Sequence, residues 1–198
     1  MKTLLLTLLI ASSFAVSSQD YELLDFTDSR NGEVYRTARI SGLTWMMDNL
    51  NFETSNSACY GGNPANCQNF GMLYTIEEAR NACPEGWRLP TSDELLAAVL
   101  TFVELDYQSE EDQEVTRMTN DGRKAYKELS GDASMNLLLG GVGMMVKGDE
   151  YFAMNEAGQY WLNDGQFSIS KKKFWLVLSD DSTPFNYQRS SCRCVSDN

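Results

Sequence analysis

Residues Cys59 to Thr91 read CYGGNPANCQNFGMLYTIEEARNACPEGWRLPT, and they form the most informative segment of the sequence. It joins two closely spaced cysteines, a Gly-x-Leu-Tyr-Thr helix start and a Cys-Pro-Glu-Gly-Trp-Arg-Leu-Pro-Thr segment. Its partner is the tail of the chain, where Cys192 and Cys194 flank Arg193. Together the two blocks predict a small globular domain that is held by disulfide bonds.

Two capping boxes in and just after this stretch predict two helices. The pairs Thr75–Glu78 and Thr91–Glu94 have the spacing at which a hydroxyl and a carboxylate satisfy the backbone donors that open a helix. We expect the first helix over 76–82, ended by the proline and glycine that follow it. The second is expected over 92–103, because its apolar residues recur at helical spacing.

Strands are predicted on both sides of the helices. An antiparallel hairpin is expected over 34–40 and 43–46, around a Ser-Gly turn. The segment 104–132, with a dense acidic run at 109–114, is interpreted as a solvated loop. Further strands are predicted after it, at residues 137–146, 151–154, 159–162, 174–178 and 191–195. Strands, two helices and then antiparallel strands predict an α+β fold.

The first 18 residues have the pattern of a secretory signal peptide. Lys2 is followed by an apolar run over 4–10 and then by small residues ending at Ser18. This run is too short to span a bilayer, which needs about 20 residues. We therefore expect a signal peptide over 1–18 and one domain over 19–198. The protein is predicted to be secreted, periplasmic or displayed on the cell surface, without a membrane span.

Composition excludes several classes of function. The 198-residue sequence carries 16 Lys and Arg against 28 Asp and Glu, a formal net charge of −12 at pH 7. That sign argues against binding to nucleic acid or to anionic membrane surfaces, which need a positive field. The sequence has no histidine, which rules out Ser-His-Asp and Cys-His catalysis and His-ligated zinc.

A series of longer motifs resembles one bacterial family. In order along the chain they are Asp28-x-Arg30-x-Gly32-x-x-Tyr35, Thr44-Trp45-Met46-x-x-Asn49-Leu50, Cys59-Tyr60, Asn63-Pro64-Ala65-Asn66-Cys67, Gly71-x-Leu73-Tyr74-Thr75, Ala82-Cys83-Pro84-x-Gly86-Trp87-x-Leu89-Pro90 and Arg193-Cys194-Val195. Over nearly the whole mature chain they resemble the Fibrobacter succinogenes major paralogous domain. The resemblance implies a C-type-lectin-like fold, with two helices packed on a curled antiparallel sheet and termini close together. The acidic segment 104–132 and Cys192 depart from the family pattern.

The five cysteines of an exported protein are first interpreted as disulfide partners. Cys59 and Cys67 enclose a short loop of bend-forming residues, so we expect them to pair. Cys192 and Cys194 share a face if the tail is a strand, so either could reach Cys83. The family resemblance favours Cys194. Cys192 is then a buried free thiol. The alternative is a redox or copper-binding Cys-x-Cys, by analogy with sulfatase-modifying enzymes of similar fold.

Aromatic and amide side chains late in the chain suggest a recognition surface. We predict a ligand surface formed by Trp161, Asn163, Asp164, Asn186 and Tyr187, whose rings can stack and whose polar groups can hydrogen-bond. The predicted function is a non-catalytic binding module of the bacterial cell surface or extracellular space. Its partner is expected to be a glycan or a protein.

The sequence leaves other functions open. One is a structural or assembly component of the cell envelope, and another is a carboxylate-based enzyme, since Asp and Glu are abundant. Calcium-dependent sugar binding is only faintly suggested by Trp161-Leu162-Asn163-Asp164, because a calcium site needs several converging oxygens. We predict no cofactor and no catalytic residue.

Overall fold

The computed structural model describes residues 21–103, 107–108, 115–118, 122–131, 134–145, 148–178 and 187–198. The predicted signal peptide and the acidic run at 109–114 lie outside these ranges. Within them the chain combines helices with two β-sheets, which confirms the α+β prediction.

The described residues form four α-helices, a short 3-10 helix and thirteen strands. The helices are α1 (Pro64–Phe70), α2 (Ile76–Ala82), α3 (Ser92–Phe102) and α4 (Gly122–Leu129), and the 3-10 helix covers Tyr60–Gly62. The strands are β1 (Leu24–Thr27), β2 (Val34–Ile40), β3 (Leu43–Met46), β4 (Leu73–Tyr74), β5 (Tyr107–Gln108), β6 (Val115–Met118), β7 (Val142–Met144), β8 (Glu150–Phe152), β9 (Ala157–Leu162), β10 (Gly165–Ser170), β11 (Phe174–Leu178), β12 (Gln188–Ser191) and β13 (Val195–Ser196).

The strands are arranged in a small and a large sheet. The small sheet has the order β1-β2-β3-β13, so the first and last strands of the described chain belong to one sheet. The large sheet runs β5-β6-β11-β10-β9-β12-β7-β8, and β4 pairs with β12 from outside this path. The named strands pair antiparallel except β12 and β9, which are parallel where Ser191 lies beside Tyr160.

Local capping explains where α2 and α3 begin. The hydroxyls of Thr75 and Thr91 accept hydrogen bonds from the backbone N–H groups of Glu78 and Glu94. At α3 the box is reciprocal, because the Glu94 carboxylate accepts the Thr91 N–H at 2.8 Å. The predicted bounds of α2 and of the β2–β3 hairpin are confirmed, and α3 ends one residue earlier than predicted.

The prediction of two helices is wrong, because two more form. α1 begins at Pro64, and the Asn63 side chain caps it by accepting from the Ala65 N–H. The Asn63-Pro64 pair, which is predicted from the sequence to form a bend, is therefore a helix start, since proline suits the first turn. α4 lies in the segment predicted as a loop. Ala125 and Leu129, one helical turn apart, are both fully buried and hold this polar helix against the core.

The predicted tail strand at 191–195 is also wrong in its extent. β12 belongs to the large sheet and β13 to the small one, so the three residues between them cross from one sheet to the other. The side chains of this crossing, Cys192, Arg193 and Cys194, are all buried. The crossing therefore runs through the core.

The buried apolar side chains form two clusters. One joins the small sheet to α3, α4 and the large sheet, and it includes Trp45, Leu95, Val99, Leu129, Tyr160 and Ile169. The other lies around α2, and it includes Tyr35, Met46, Tyr74, Leu89, Trp161, Cys192 and Cys194. Tyr160 and Trp161 are neighbours in β9 but belong to different clusters, so this part of the large sheet is covered by apolar groups on both faces.

Arg193 is buried without a carboxylate among its hydrogen-bond partners. Its guanidinium donates to the carbonyls of Met135 and Asn136 and to Asn49 Oδ1, the last at 2.6 Å. Burial lowers the pKa of Arg193, because the charged form is removed from water. The three oxygens offset part of this cost and tie the crossing to two distant segments.

Replacing Arg193 should destabilise the whole domain. Arg193→Met keeps much of the volume but leaves two buried carbonyls and the Asn49 side chain without their donor. We expect a loss of about 3 kcal/mol or more in the free energy of unfolding, measured by chemical denaturation. Arg39→Met, at an exposed position of β2, is the control and should change it by less than about 0.5 kcal/mol. Equal effects of the two changes would contradict the role of Arg193.

Three ion-paired carboxylates should make the domain sensitive to acid. Hydrogen bonds from Arg30 lower the pKa of Asp28, and those from Arg88 lower the pKa of Glu94. Arg36 lowers the pKa of Asp48 against the opposing effect of burial. A carboxyl group whose pKa is lowered in the folded state stabilises the fold at pH values above its ordinary pKa, which is near 4. This stabilisation is lost as the pH falls through the lowered pKa of the folded state.

The free energy of unfolding should therefore decrease between pH 5 and pH 2.5. Arg30→Gln should reduce stability at pH 7 more than at pH 2.5, because the stability that Arg30 adds through the lowered pKa of Asp28 decreases as the pH falls toward that pKa. Denaturant titrations of both proteins at the two pH values test this. An equal effect of Arg30→Gln at both pH values would contradict it.

Candidate functional site

The cysteines occupy the positions expected from the sequence. Cys59 is bonded to Cys67 and Cys83 to Cys194, while Cys192 is a buried free thiol. Burial raises the pKa of the Cys192 thiol well above its usual range, which keeps it protonated and unreactive. The first bridge closes the loop that holds the 3-10 helix and the first turn of α1, whereas the second links the end of α2 to the buried crossing.

Trp161 does not belong to a ligand surface, which corrects the sequence prediction. Only 1% of this residue is exposed, and its indole Nε1 donates to the Tyr74 carbonyl at 2.6 Å. The physical reason is that β9 is covered on both faces, so a large ring there fills the core rather than facing solvent.

Asn163 and Asp164 form the turn between β9 and β10, and this turn braces α3. The Asp164 carboxylate accepts from the backbone N–H of Ser92 at 2.9 Å and from its hydroxyl at 2.7 Å. The Asn163 side chain is exposed, and its backbone N–H donates to the Pro90 carbonyl. The Asp164 oxygens are thus engaged at the start of a helix, where a carboxylate is stabilised.

Tyr187 is the one member of the predicted surface with a widely exposed ring, at 57%. Its carbonyl accepts from the Met145 N–H at 2.8 Å, which places it beside the end of β7. Asn186 lies outside the described residues. The exposed Tyr187 therefore places the candidate site beside the end of β7.

Three further aromatic residues lie near β7 and β8. Tyr60, in the loop closed by the Cys59–Cys67 bridge, packs on Tyr151 of β8 with ring centroids 5.2 Å apart and planes at 52°. Both residues are half-buried, and Phe152 next to them in β8 is 49% exposed. Because residues alternate along a strand, the Phe152 side chain lies on the face of β8 opposite Tyr151. We call Tyr60, Tyr151, Phe152 and Tyr187, which together cover both faces of the sheet near its β8 edge, the aromatic surface.

Gly141 allows the disulfide loop to approach the β7–β8 hairpin. Its φ is +75°, and a Cβ atom there would lie 2.5 Å from Tyr60 Cε2 and 2.7 Å from the Phe152 carbonyl oxygen. Only glycine fits a backbone that is both left-handed and this crowded. The Tyr60 ring is consequently held against β8 by the fold and not by the short loop alone.

An ion pair lies beside Tyr151. Arg189 Nη1 is 2.7 Å from Asp149 Oδ1, and Arg189 Nε donates to the Asn56 carbonyl at 2.6 Å. The Arg189 side chain is largely buried, whereas that of Asp149 is half exposed. Burial raises the pKa of Tyr151, with a contribution from Asp149 that Arg189 opposes. The Tyr151 hydroxyl is therefore protonated at neutral pH and can donate or accept a hydrogen bond.

A second set of polar contacts fixes the strand that carries Arg189. Gln188 Nε2 donates to Gln159 Oε1 of β9, and Gln166 Nε2 of β10 donates to Ser190 Oγ at 2.8 Å. Because residues alternate along a strand, these contacts lie on the face of β12 opposite Arg189. β12 is thus held by amide and hydroxyl contacts on one face and carries the Arg189–Asp149 ion pair on the other.

Most of this surface is not predicted from the sequence. The predicted ligand surface includes Tyr187, but not Tyr60, Asp149, Tyr151, Phe152 or Arg189. The available signal was the adjacent pair Tyr151-Phe152 in a short strand, together with a tyrosine directly after a disulfide cysteine. The proximity of Tyr60 to β8 depends on Gly141. This glycine is 81 positions from Tyr60 in the sequence, so no local pattern links the two residues.

The described parts of the chain contain no group of three or more Cys, Asp or Glu side chains arranged to hold a metal ion. Among the same residues, none of the helices has both the length and the apolar character needed to cross a bilayer.

Comparison with known proteins identifies the family. The model of the Fibrobacter succinogenes major domain matches residues 28–196. The chain therefore belongs to this family, as its motifs indicated. No curated protein and no solved structure matches the chain.

Trp161 and Tyr187 should respond differently to truncation. Trp161→Ala removes a buried ring and its hydrogen bond, so the free energy of unfolding should fall by about 3 to 5 kcal/mol. Tyr187→Ala removes an exposed ring and should change it by about 0.5 kcal/mol or less. Thermal and denaturant unfolding of the two variants checks this. A stable Trp161→Ala protein would contradict the assignment of Trp161 to the core.

Proposed function

We propose that this member of the Fibrobacter succinogenes major domain family is a non-catalytic binding module that acts outside the cytoplasm. Its partner, a glycan or a protein, is recognised through the aromatic surface. The observation that carries the proposal is the grouping of four aromatic side chains on the disulfide loop, β8 and the start of β12.

Exposure supports this choice of surface. The large apolar or aromatic side chains that are exposed in the described residues are Leu23, Leu24, Val34, Leu100, Phe152 and Tyr187. The two aromatic ones both lie at the aromatic surface. Exposed aromatic rings lose little conformational entropy when they bind, and they are enriched where proteins recognise partners.

The scaffold beneath the rings also favours recognition. The Cys59–Cys67 bridge, Gly141 and the anchored strand β12 hold the side chains in place before a partner arrives. A site that is already ordered loses less entropy on binding.

An extracytoplasmic location is supported by the two disulfide bonds, which persist in oxidising compartments. The predicted signal peptide agrees with it. A non-catalytic role is supported by the absence of histidine from the sequence and by the use of several carboxylates in structure. Asp28, Asp48, Glu94 and Asp164 are all engaged in ion pairs or caps.

The proposal includes a C-type-lectin-like architecture. It is supported by helices combined with a largely antiparallel sheet, by a bridge from the end of α2 to the tail, and by first and last strands that share a sheet. The additional helices α1 and α4 distinguish the chain from the two-helix form that the resemblance implies.

The test is binding of the mature protein to a glycan array and to washed bacterial cell envelopes, compared with surface variants. Phe152→Ser and Tyr187→Ser should each weaken binding by about fivefold or more, the effect of removing a contact worth about 1 kcal/mol. Leu100→Ser is the matched control, because Leu100 of α3 is also 49% exposed.

Equal effects of all three substitutions, or no effect of any, would contradict the proposed function. Turnover of a substrate from a broad hydrolase panel by the wild-type protein would contradict its non-catalytic part. All variants should unfold at the wild-type temperature, because the three side chains are substantially exposed.

A further inference from the structure

We propose that the outer edge of β1 is a second binding surface, which takes an extended basic peptide segment of a partner protein as an added strand. This edge belongs to the small sheet and uses none of the side chains of the aromatic surface, so the inference does not rest on the proposed function. Three observations lead to it: backbone groups that point away from the sheet, exposed apolar side chains beside them, and an unpaired carboxylate within the strand.

The first observation is that β1 directs backbone hydrogen-bonding groups away from its own sheet. Asp25 lies opposite Arg36 of β2. The backbone groups of Arg36 point to the far side of β2, because its N–H donates to Asp48 Oδ2 and its carbonyl accepts from the Met47 N–H. Since these directions alternate along a strand, the N–H and C=O groups of Asp25 and Thr27 point away from β2. They make no hydrogen bond within the described residues.

The other sheet edges are less accessible than that of β1. At the opposite edge of the small sheet, Val195 of β13 exchanges backbone hydrogen bonds with Arg88. At one edge of the large sheet, β8 carries Tyr151, on which Tyr60 of the disulfide loop packs. β5, at its other edge, adjoins residues outside the described ranges. An edge strand with unpaired groups can accept a further strand, which is a common mode of peptide recognition.

The second observation is a group of exposed apolar side chains along this edge. Leu23, Leu24 and Val34 are 43%, 58% and 53% exposed, and they are half of the large hydrophobic side chains that are exposed in the described residues. Leu24 and Phe26 lie on the face of the sheet that also carries the buried Tyr35. A strand added beside β1 would extend this face, and an apolar side chain opposite Leu24 would remove it from water.

The third observation is the charge of the strand, which selects the occupant. Residues 21–29 contain Glu22, Asp25 and Asp28 but no Lys or Arg. Asp28 is paired with Arg30, whereas Asp25 is exposed and has no ion pair among the described residues. Symmetric pairing with β1 of a second copy would set the two Asp25 carboxylates opposite or diagonal to each other, and like charges in these positions repel. A strand with Lys or Arg opposite Asp25 gains an ion pair instead.

Two peptides that differ in one charge test the proposal by NMR spectroscopy of the mature protein. They are Gly-Ser-Thr-Val-Lys-Ile-Thr-Ser-Gly and the same peptide with Glu in place of Lys, both with blocked ends. Their two apolar residues can lie opposite Leu24 and Phe26. We expect the lysine peptide to shift the amide signals of Asp25 and Thr27 and to slow their hydrogen exchange. Its dissociation constant should be about threefold or more below that of the glutamate peptide.

Three variants assign the binding to β1. Asp25→Lys should reverse the preference, so that the glutamate peptide binds about threefold or more tightly than the lysine peptide. Glu150→Lys is the matched control, because it makes the same charge change at an exposed position of the edge strand β8, and it should keep the wild-type preference. Thr27→Pro removes an N–H that points away from the sheet, so it should weaken both peptides about fivefold or more.

The outcomes also separate this inference from its alternatives. No shift of the Asp25 and Thr27 amide signals with either peptide would overturn it, and so would equal binding of the two peptides to the wild-type protein and to Asp25→Lys. A wild-type dimer in sedimentation velocity that Thr27→Pro abolishes would show that a second copy occupies the edge, and it would overturn the choice of partner. If Thr27→Pro does not fold, the reversal in Asp25→Lys remains decisive. Phe152→Ser and Tyr187→Ser should bind both peptides like the wild type, whatever they do to the aromatic surface.

Discussion

The buried guanidinium of Arg193 is the contact on which the arrangement of the two sheets depends. It lies in the crossing between β12 and β13, and it donates to the Met135 and Asn136 carbonyls and to Asn49. Asn49 in turn donates from Nδ2 to the Phe70 carbonyl at the end of α1. One charged group thus connects the tail, the segment before β7 and the end of α1. Arg193 Nε is buried without a hydrogen-bond partner among the described residues, so the hydrogen-bonding capacity of the guanidinium is only partly used.

This core contact and the aromatic surface share structural elements. β12 carries Arg189 and leads directly into the crossing, while α1 begins in the disulfide loop that carries Tyr60. The Cys83–Cys194 bridge fixes the far end of the crossing. The elements that carry the rings are therefore attached to a buried segment of the chain, and this favours a surface whose geometry is set before binding.

Features that depend on local sequence could be predicted, and features that depend on distant contacts could not. The threonine caps of α2 and α3 and the β2–β3 hairpin follow from adjacent residues, and their bounds were predicted closely. Trp161 is predicted to lie on a ligand surface because aromatic and amide residues surround it in the sequence. It is buried because apolar side chains pack on both faces of β9. α4 is polar in sequence and is held mainly by the buried side chains of Ala125 and Leu129. The burial of Arg193 depends on oxygens more than 50 positions away in the chain.

The pairing of β1 and β13 in one small sheet has an architectural consequence. Polypeptide joined before β1 or after β13 would leave the domain from the small sheet, whereas the aromatic surface is built on β8 and β12 of the large sheet and on the disulfide loop. Such a domain can be placed in tandem or inserted into a host protein without its linkers passing through the strands that carry the rings. Repetition along a chain would then multiply weak contacts, because each additional copy raises the local concentration of binding surfaces.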